Sequence, residues 1–166
     1  MERGARRLLT ISLGAALGLL LLAPVWTLGG DAEPREVGKK DKCPVCGMFV
    51  YKYPDWVGEV IFRDGTTDFF DGAKDLFKYV FDLKRYRPDQ STEEIAAIYV
   101  TEYYNMELIP AKGALFVVGS DVYGPMGHEL IPFNNREDAE VFKKDHQGRR
   151  ILTFDQVTPE VIKTLD

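Results

Sequence analysis

The chain has 166 residues, 45% of them hydrophobic, and a formal net charge of −5. That is enough apolar material for one domain, or for two small units sharing a core. The acidic balance and the lack of a basic stripe interleaved with aromatics exclude nucleic acid as a partner.

Arg3, Arg6 and Arg7 precede an uncharged apolar run from Leu8 to Trp26, and Asp31 and Glu33 follow it. The run is roughly 19 residues, close to what a bilayer core requires. Basic residues before it orient its N-terminus towards the cytoplasm. Residues 1–30 therefore read as a signal peptide or membrane anchor, an N-terminal hydrophobic helix that exports the rest. The expected location is periplasmic or extracytoplasmic, tethered to the inner (cytoplasmic) membrane through this segment. Residues 31–42 (DAEPREVGKKDK) are polar and charged and predict a linker.

The folded part reads as α+β, with two related ββαβ units and mainly antiparallel sheets. The first unit, over 43–105, opens on CPVCGMFV. A strand over 57–62, the hairpin signal Asp64-Gly65 and a returning strand over 66–70 follow. Asp71 is a plausible N-cap for a helix over 72–84, in which Ala73, Leu76, Phe77, Val80 and Phe81 recur at helical spacing. A strand over 96–102 closes the unit. The second unit, over 106–166, repeats the order: a strand over 114–119, a loop SDVYGPMG, and a strand over 129–133. A helix capped by Asn134 or Asn135 comes next, ending near Gly148, and then a strand over 151–157. Thr158-Pro159 starts a last short helix.

The chemistry concentrates in two short segments. Cys46 and Met48 lie two apart, so an extended segment projects both sulfurs to one side. Thiolate and thioether are soft donors that select Cu(I) over hard cations. The GPMGH loop offers Met126, and His128 adds a nitrogen two residues on. Convergence of the two segments would give a partly open site of two or three ligands, suited to accepting and passing on a metal. Against this stand plainer assignments: methionine commonly fills cores, and histidine is more often a surface or hydrogen-bonding residue than a ligand. Both cysteines of the chain, Cys43 and Cys46, form one CxxC, which has two rival meanings. A thiol-disulfide oxidoreductase motif acting on exported proteins wants the CxxC at a helix N-terminus, whereas GMFVYKYPDW follows here. A structural zinc site wants a second Cys or His pair, and none is present. No hydrolytic nucleophile motif stands out. The aspartates of DGTTDFFDGAKD predict turns, caps and a solvated face.

Taken together, CPVCGMFV, FFDGAKDLFKYV, IAAIYVTEYYN, ALFVVGSDVYGPMGHELIPF and HQGRRILTFDQV resemble the NosL family of accessory factors for nitrous oxide reductase, from about Cys43 onward. The resemblance implies a copper chaperone rather than an enzyme. It would supply Cu(I) outside the cytoplasm to nitrous oxide reductase or another cuproenzyme, alongside membrane copper-export or assembly proteins. It also implies two ββαβ units and the ligands Cys46, Met48 and Met126. His128 is a secondary candidate, and Cys43 is a third sulfur whose part is open. Family members commonly carry a lipid-attachment cysteine after the signal sequence. No cysteine precedes Cys43 here, and a helical anchor would take that place.

Overall fold

A computed structural model describes residues 32–166. The hydrophobic helix expected over the first thirty residues lies outside them. The segment 32–42, read as a linker, is tied to the first unit. The Arg35 N–H donates to both oxygens of the buried Glu59 carboxylate (3.3 and 3.0 Å), and the Tyr99 hydroxyl donates to the Ala32 carbonyl at 3.0 Å.

The first unit contains β1 (Gly58–Phe62), β2 (Thr67–Phe70), α1 (Ala73–Phe81), the single-turn α2 (Leu83–Tyr86), β3 (Ile95–Thr101) and β4 (Leu108–Pro110). Its sheet runs β2-β1-β3-β4 and is antiparallel throughout. The β1–β2 turn forms as Asp64-Gly65 foretells: the Asp64 carboxylate accepts from both the N–H and the hydroxyl of Thr66. The helix expected over 72–84 breaks at Asp82, which ends α1 and precedes α2. The short β4 was not foreseen and carries the first sheet past residue 105.

The second unit contains β5 (Leu115–Gly124), β6 (Gly127–Phe133), α3 (Arg136–Asp145), β7 (Arg150–Thr153) and α4 (Pro159–Lys163), with sheet order β6-β5-β7, again antiparallel. Each unit thus shows the expected β-β-α-β order. Two caps hold as read: Asn135 accepts from the Asp138 N–H, and Thr158 from the Val161 N–H. The expected loop SDVYGPMG is instead a continuous hairpin. Tyr123 pairs with His128 and Gly124 with Gly127, leaving Pro125 and Met126 as its two-residue tip. The expected strand over 151–157 stops at Thr153, where a capping box turns the chain into a 3₁₀ turn over 154–156.

Packing joins the units. The Phe77 ring of α1 is buried and meets Phe116 of β5 (centroids 5.3 Å, edge-on) and Phe154 (5.0 Å). One cluster runs from Val60 and Phe70 of the first sheet, through Leu76 and Phe77, to Phe116, Val118 and Leu130 of the second sheet and Val161 of α4. The alternate residues Val117, Ile131 and Phe133 pack instead with Ala139 and Phe142 of α3, as the two-residue period of a strand requires. Phe77→Ala should cost about 3–5 kcal/mol, and urea unfolding followed by two probes should show one coincident transition. Two resolved transitions would contradict a core shared by both units.

Candidate metal centre

The CPVCGM segment folds into a tight turn. The Cys43 N–H donates to the Met48 carbonyl and the Gly47 N–H to the Cys43 carbonyl, both at 2.9 Å. A bridge between Lys42 and Phe49 closes the base. Gly47 sits at φ +80° with open space where a side chain would be, so glycine is the residue this turn accepts most readily. The turn aims main-chain N–H groups at sulfur: those of Val45 and Cys46 at Cys43, and that of Met48 at Cys46.

Helix α1 supplies the other half of the site. Its N-cap is Gly72, not Asp71, and no side chain caps it. Freed from capping, Asp71 turns to the cysteines. The Cys46 thiol donates to Asp71 Oδ1 at 3.1 Å, and the Cys43 thiol to Asp75 Oδ2 at 3.4 Å. The four donor atoms lie within 4.8 Å of one another. Asp71 is 1% exposed, Asp75 3% and Cys43 1%, while Cys46 is half-buried. The second oxygen of Asp71 is buried without a hydrogen-bond partner. Neither aspartate has a basic group within salt-bridge distance among the described residues.

Burial pushes the Cys46 thiol up to about 12. The Met48 amide counters this in part, and the Asp71 carboxylate reinforces it. Burial likewise raises Cys43, with Asp75 adding to the effect. The site therefore holds its thiols as protonated donors to carboxylates. That is the reverse of an activated redox cysteine, whose pKa is lowered at a helix N-terminus. The CxxC here occupies a turn ahead of any helix, so the geometry disfavours an oxidoreductase. Two sulfurs and two carboxylate oxygens form a set that can bind a metal ion once protons leave. The second donor pair missing from the cysteines and histidines is carboxylate.

The sequence-selected residues are distributed as follows. Cys43 and Cys46 come together. Met48 follows in the same turn, half-buried. Met126 stands at the tip of the β5–β6 hairpin with 42% exposure, and its carbonyl accepts from Lys74 Nζ at 2.8 Å. The hairpin tip is thereby tied to the residue between Asp71 and Asp75. His128 is exposed on β6, against the Tyr123 ring (4.7 Å), and lines a cleft of about 360 Å³ with Arg149, Arg150 and Thr164. Asp71 and Asp75 are the residues sequence reasoning missed. Asp71 precedes the helix cap and Asp75 lies in the first turn of α1, positions where acids ordinarily serve turns and caps, so no spacing signal marked them.

Fold and donor set together define a two-unit α+β protein with a metal-competent cluster of sulfur and carboxylate between an exposed turn and its first helix. The NosL family model matches residues 34–162, and the chain belongs to that family. It is 27% identical to the copper-binding lipoprotein NosL of Stutzerimonas stutzeri, over 96% of this chain and 83% of that relative. The crystal structure of the copper chaperone NosL from Shewanella denitrificans is similar at a TM-score of 0.66 and 25% identity, covering 77% of this chain and 97% of that one. The solution structure of apo-NosL from Achromobacter cycloclastes matches with a TM-score of 0.45 and 25% identity, over 63% of this chain and 87% of that one.

Removing the Asp71 charge should lower the Cys46 pKa, because the carboxylate both accepts the thiol proton and repels the thiolate. Alkylation of metal-free Asp71→Asn by iodoacetamide at pH 8 should run several-fold faster than wild type, since one pKa unit changes the thiolate fraction about tenfold. A rate equal to or below wild type would show that Asp71 is not the thiol's partner.

Proposed function

We propose that this chain is an extracytoplasmic copper chaperone that holds Cu(I) through Cys46, Met48 and Met126. Cys43, in the same turn as Cys46, and His128, on β6, are the further candidate donors. The observation that carries the proposal is the half-exposed Cys46 thiol, which shares one tight turn with Met48 and lies against the helix to which the Met126 hairpin is anchored. Soft sulfur donors from two chain segments favour Cu(I) over zinc, for which a thioether does little. A thiol that is half-buried rather than sealed lets a recipient's ligand approach without first displacing a full coordination shell. The names borne by the relatives, a copper-binding lipoprotein and a copper chaperone, support the same assignment. The recipient is nitrous oxide reductase or a similar cuproenzyme, with membrane copper-export or assembly proteins as further partners. The N-terminal apolar segment keeps the chain at the inner membrane, facing the periplasm or its equivalent. The chain performs no chemistry on its cargo and is not an enzyme.

Binding must displace the Cys46 proton, so Cu(I) affinity should rise with pH across the neutral range, about tenfold per pH unit for each thiol that ionises. Competition against a bicinchoninate chelator under reducing conditions measures this. In the same assay the protein should take up one Cu(I), Cys46→Ala should abolish tight binding, and Met126→Leu should weaken it about tenfold. Undiminished affinity in Cys46→Ala would end the proposal.

A further inference from the structure

The two candidate halves of the copper site belong to different units of the fold, and one residue touches both connections. Lys74 is 3% exposed, an unusual place for a lysine. Its main-chain N–H donates to Glu129 Oε1 at 2.5 Å, and the same oxygen accepts from the Leu130 N–H at 2.9 Å. Its ammonium donates to the carbonyls of Met126 (2.8 Å) and Leu165 (3.1 Å), with Asp166 Oδ1 at 3.8 Å. Two carbonyls thus accept its hydrogen bonds, and the Asp166 carboxylate, which Lys78 also holds, adds an ion-pair contact. The Met126 hairpin is held at two points, at residue 126 of its tip by the side chain of Lys74 and at residue 129 of β6 by the Lys74 backbone. Lys74 itself stands between Asp71 and Asp75, whose carboxylates take the two thiol protons.

We infer that Lys74 is a positioning residue for copper binding. It ties the Met126 tip to the α1 turn that faces Cys43 and Cys46, and so sets where the second-unit thioether stands relative to the thiol. It needs no contact with the metal. Two main-chain carbonyls and the C-terminal carboxylate side chain converge on a buried cation whose stem lies beside the site. Removing the ammonium leaves the Met126 and Leu165 carbonyls without a donor, and the freed tip loses its register with α1. The inference rests on the proposed role of Met126, so its test carries one readout that needs no copper.

The test uses the full chain, reduced and in detergent. Folding of each variant is checked by thermal melting. Lys74→Arg replaces Lys74→Met if the latter does not fold, because a guanidinium cannot overlay one ammonium on three acceptors. With ¹³C-methyl methionine labelling and no metal, Lys74→Met should move the Met126 methyl resonance towards its random-coil position and leave that of Met106, exposed elsewhere, unmoved. In Cu(I) competition, Met126→Leu should cost about tenfold in the wild type but less than about threefold in the Lys74→Met background, the non-additivity of coupled residues. An unmoved Met126 methyl in a folded Lys74 variant, or equal losses from Met126→Leu in both backgrounds, would overturn the inference. A wild type that binds no Cu(I) would instead remove the proposed function, and the methyl resonance alone would then decide whether Lys74 holds the tip.

Discussion

The N-terminus of α1 has no cap of its own. Gly72 occupies the cap position without a side chain, and the free N–H of Lys74 is satisfied by Glu129, which reaches in from β6. Glu129 is fully enclosed, and burial raises its carboxyl to about 8. The Leu130 and Lys74 amides and the Lys74 charge offset part of that rise. The fit leaves no slack: a Cβ on Gly72 would run into the Glu129 carboxylate, and one on Gly124 would press on the Glu129 Cγ at 3.1 Å. An acceptor borrowed from the other unit is thus what starts the helix. It also releases Asp71 from the capping role its position suggests.

The electrostatics of the cluster follow from the same placement. Two buried carboxylates without a nearby cation are costly, and two buried thiolates would be costlier beside them. The metal-free protein keeps both thiols protonated, each donating a hydrogen bond to one aspartate. In the proposed carrier role a soft cation would take the place of those protons on sulfur. The acids need not be ligands to matter. They set how tightly the protons are held, and the ion must compete against those protons.

Much of the architecture is written locally. Asp64-Gly65, Asn135 and Thr158-Pro159 act through contacts within three residues, and all three signals hold. Less legible was anything decided by distant packing. The strand expected to end at Gly119 continues to Gly124 because the chain absorbs an irregularity between Val118 and Tyr123, with Gly119 at φ +76°, and resumes pairing beyond it. Gly-Pro-Met-Gly carries breaker residues and reads as a loop, yet two glycines flanking a two-residue tip are also what a tight hairpin uses. The aspartates of α1 resemble ordinary solvated-face acids in one dimension. Only the fold of CPVCGM against that helix encloses them, and no spacing rule encodes that contact. The soft donors, by contrast, were candidates from residue type alone, since the softness of sulfur does not depend on context.

A carrier site has to satisfy two demands that oppose each other: affinity enough to keep Cu(I) from water and from other thiols, and a barrier to release low enough for transfer. A closed shell of buried donors meets the first and fails the second. The arrangement here divides the two demands between segments. In the proposed carrier role, the inner thiol of Cys43 and both carboxylates are buried, whereas Cys46 is half-open and Met126 sits part-exposed at a hairpin tip. On departure of the ion the protons return to the thiols and the aspartates accept them again. The emptied site therefore relaxes into a hydrogen-bonded state rather than into exposed charge. That lowers the free energy of the empty carrier and, by the same amount, moderates its hold on the cargo.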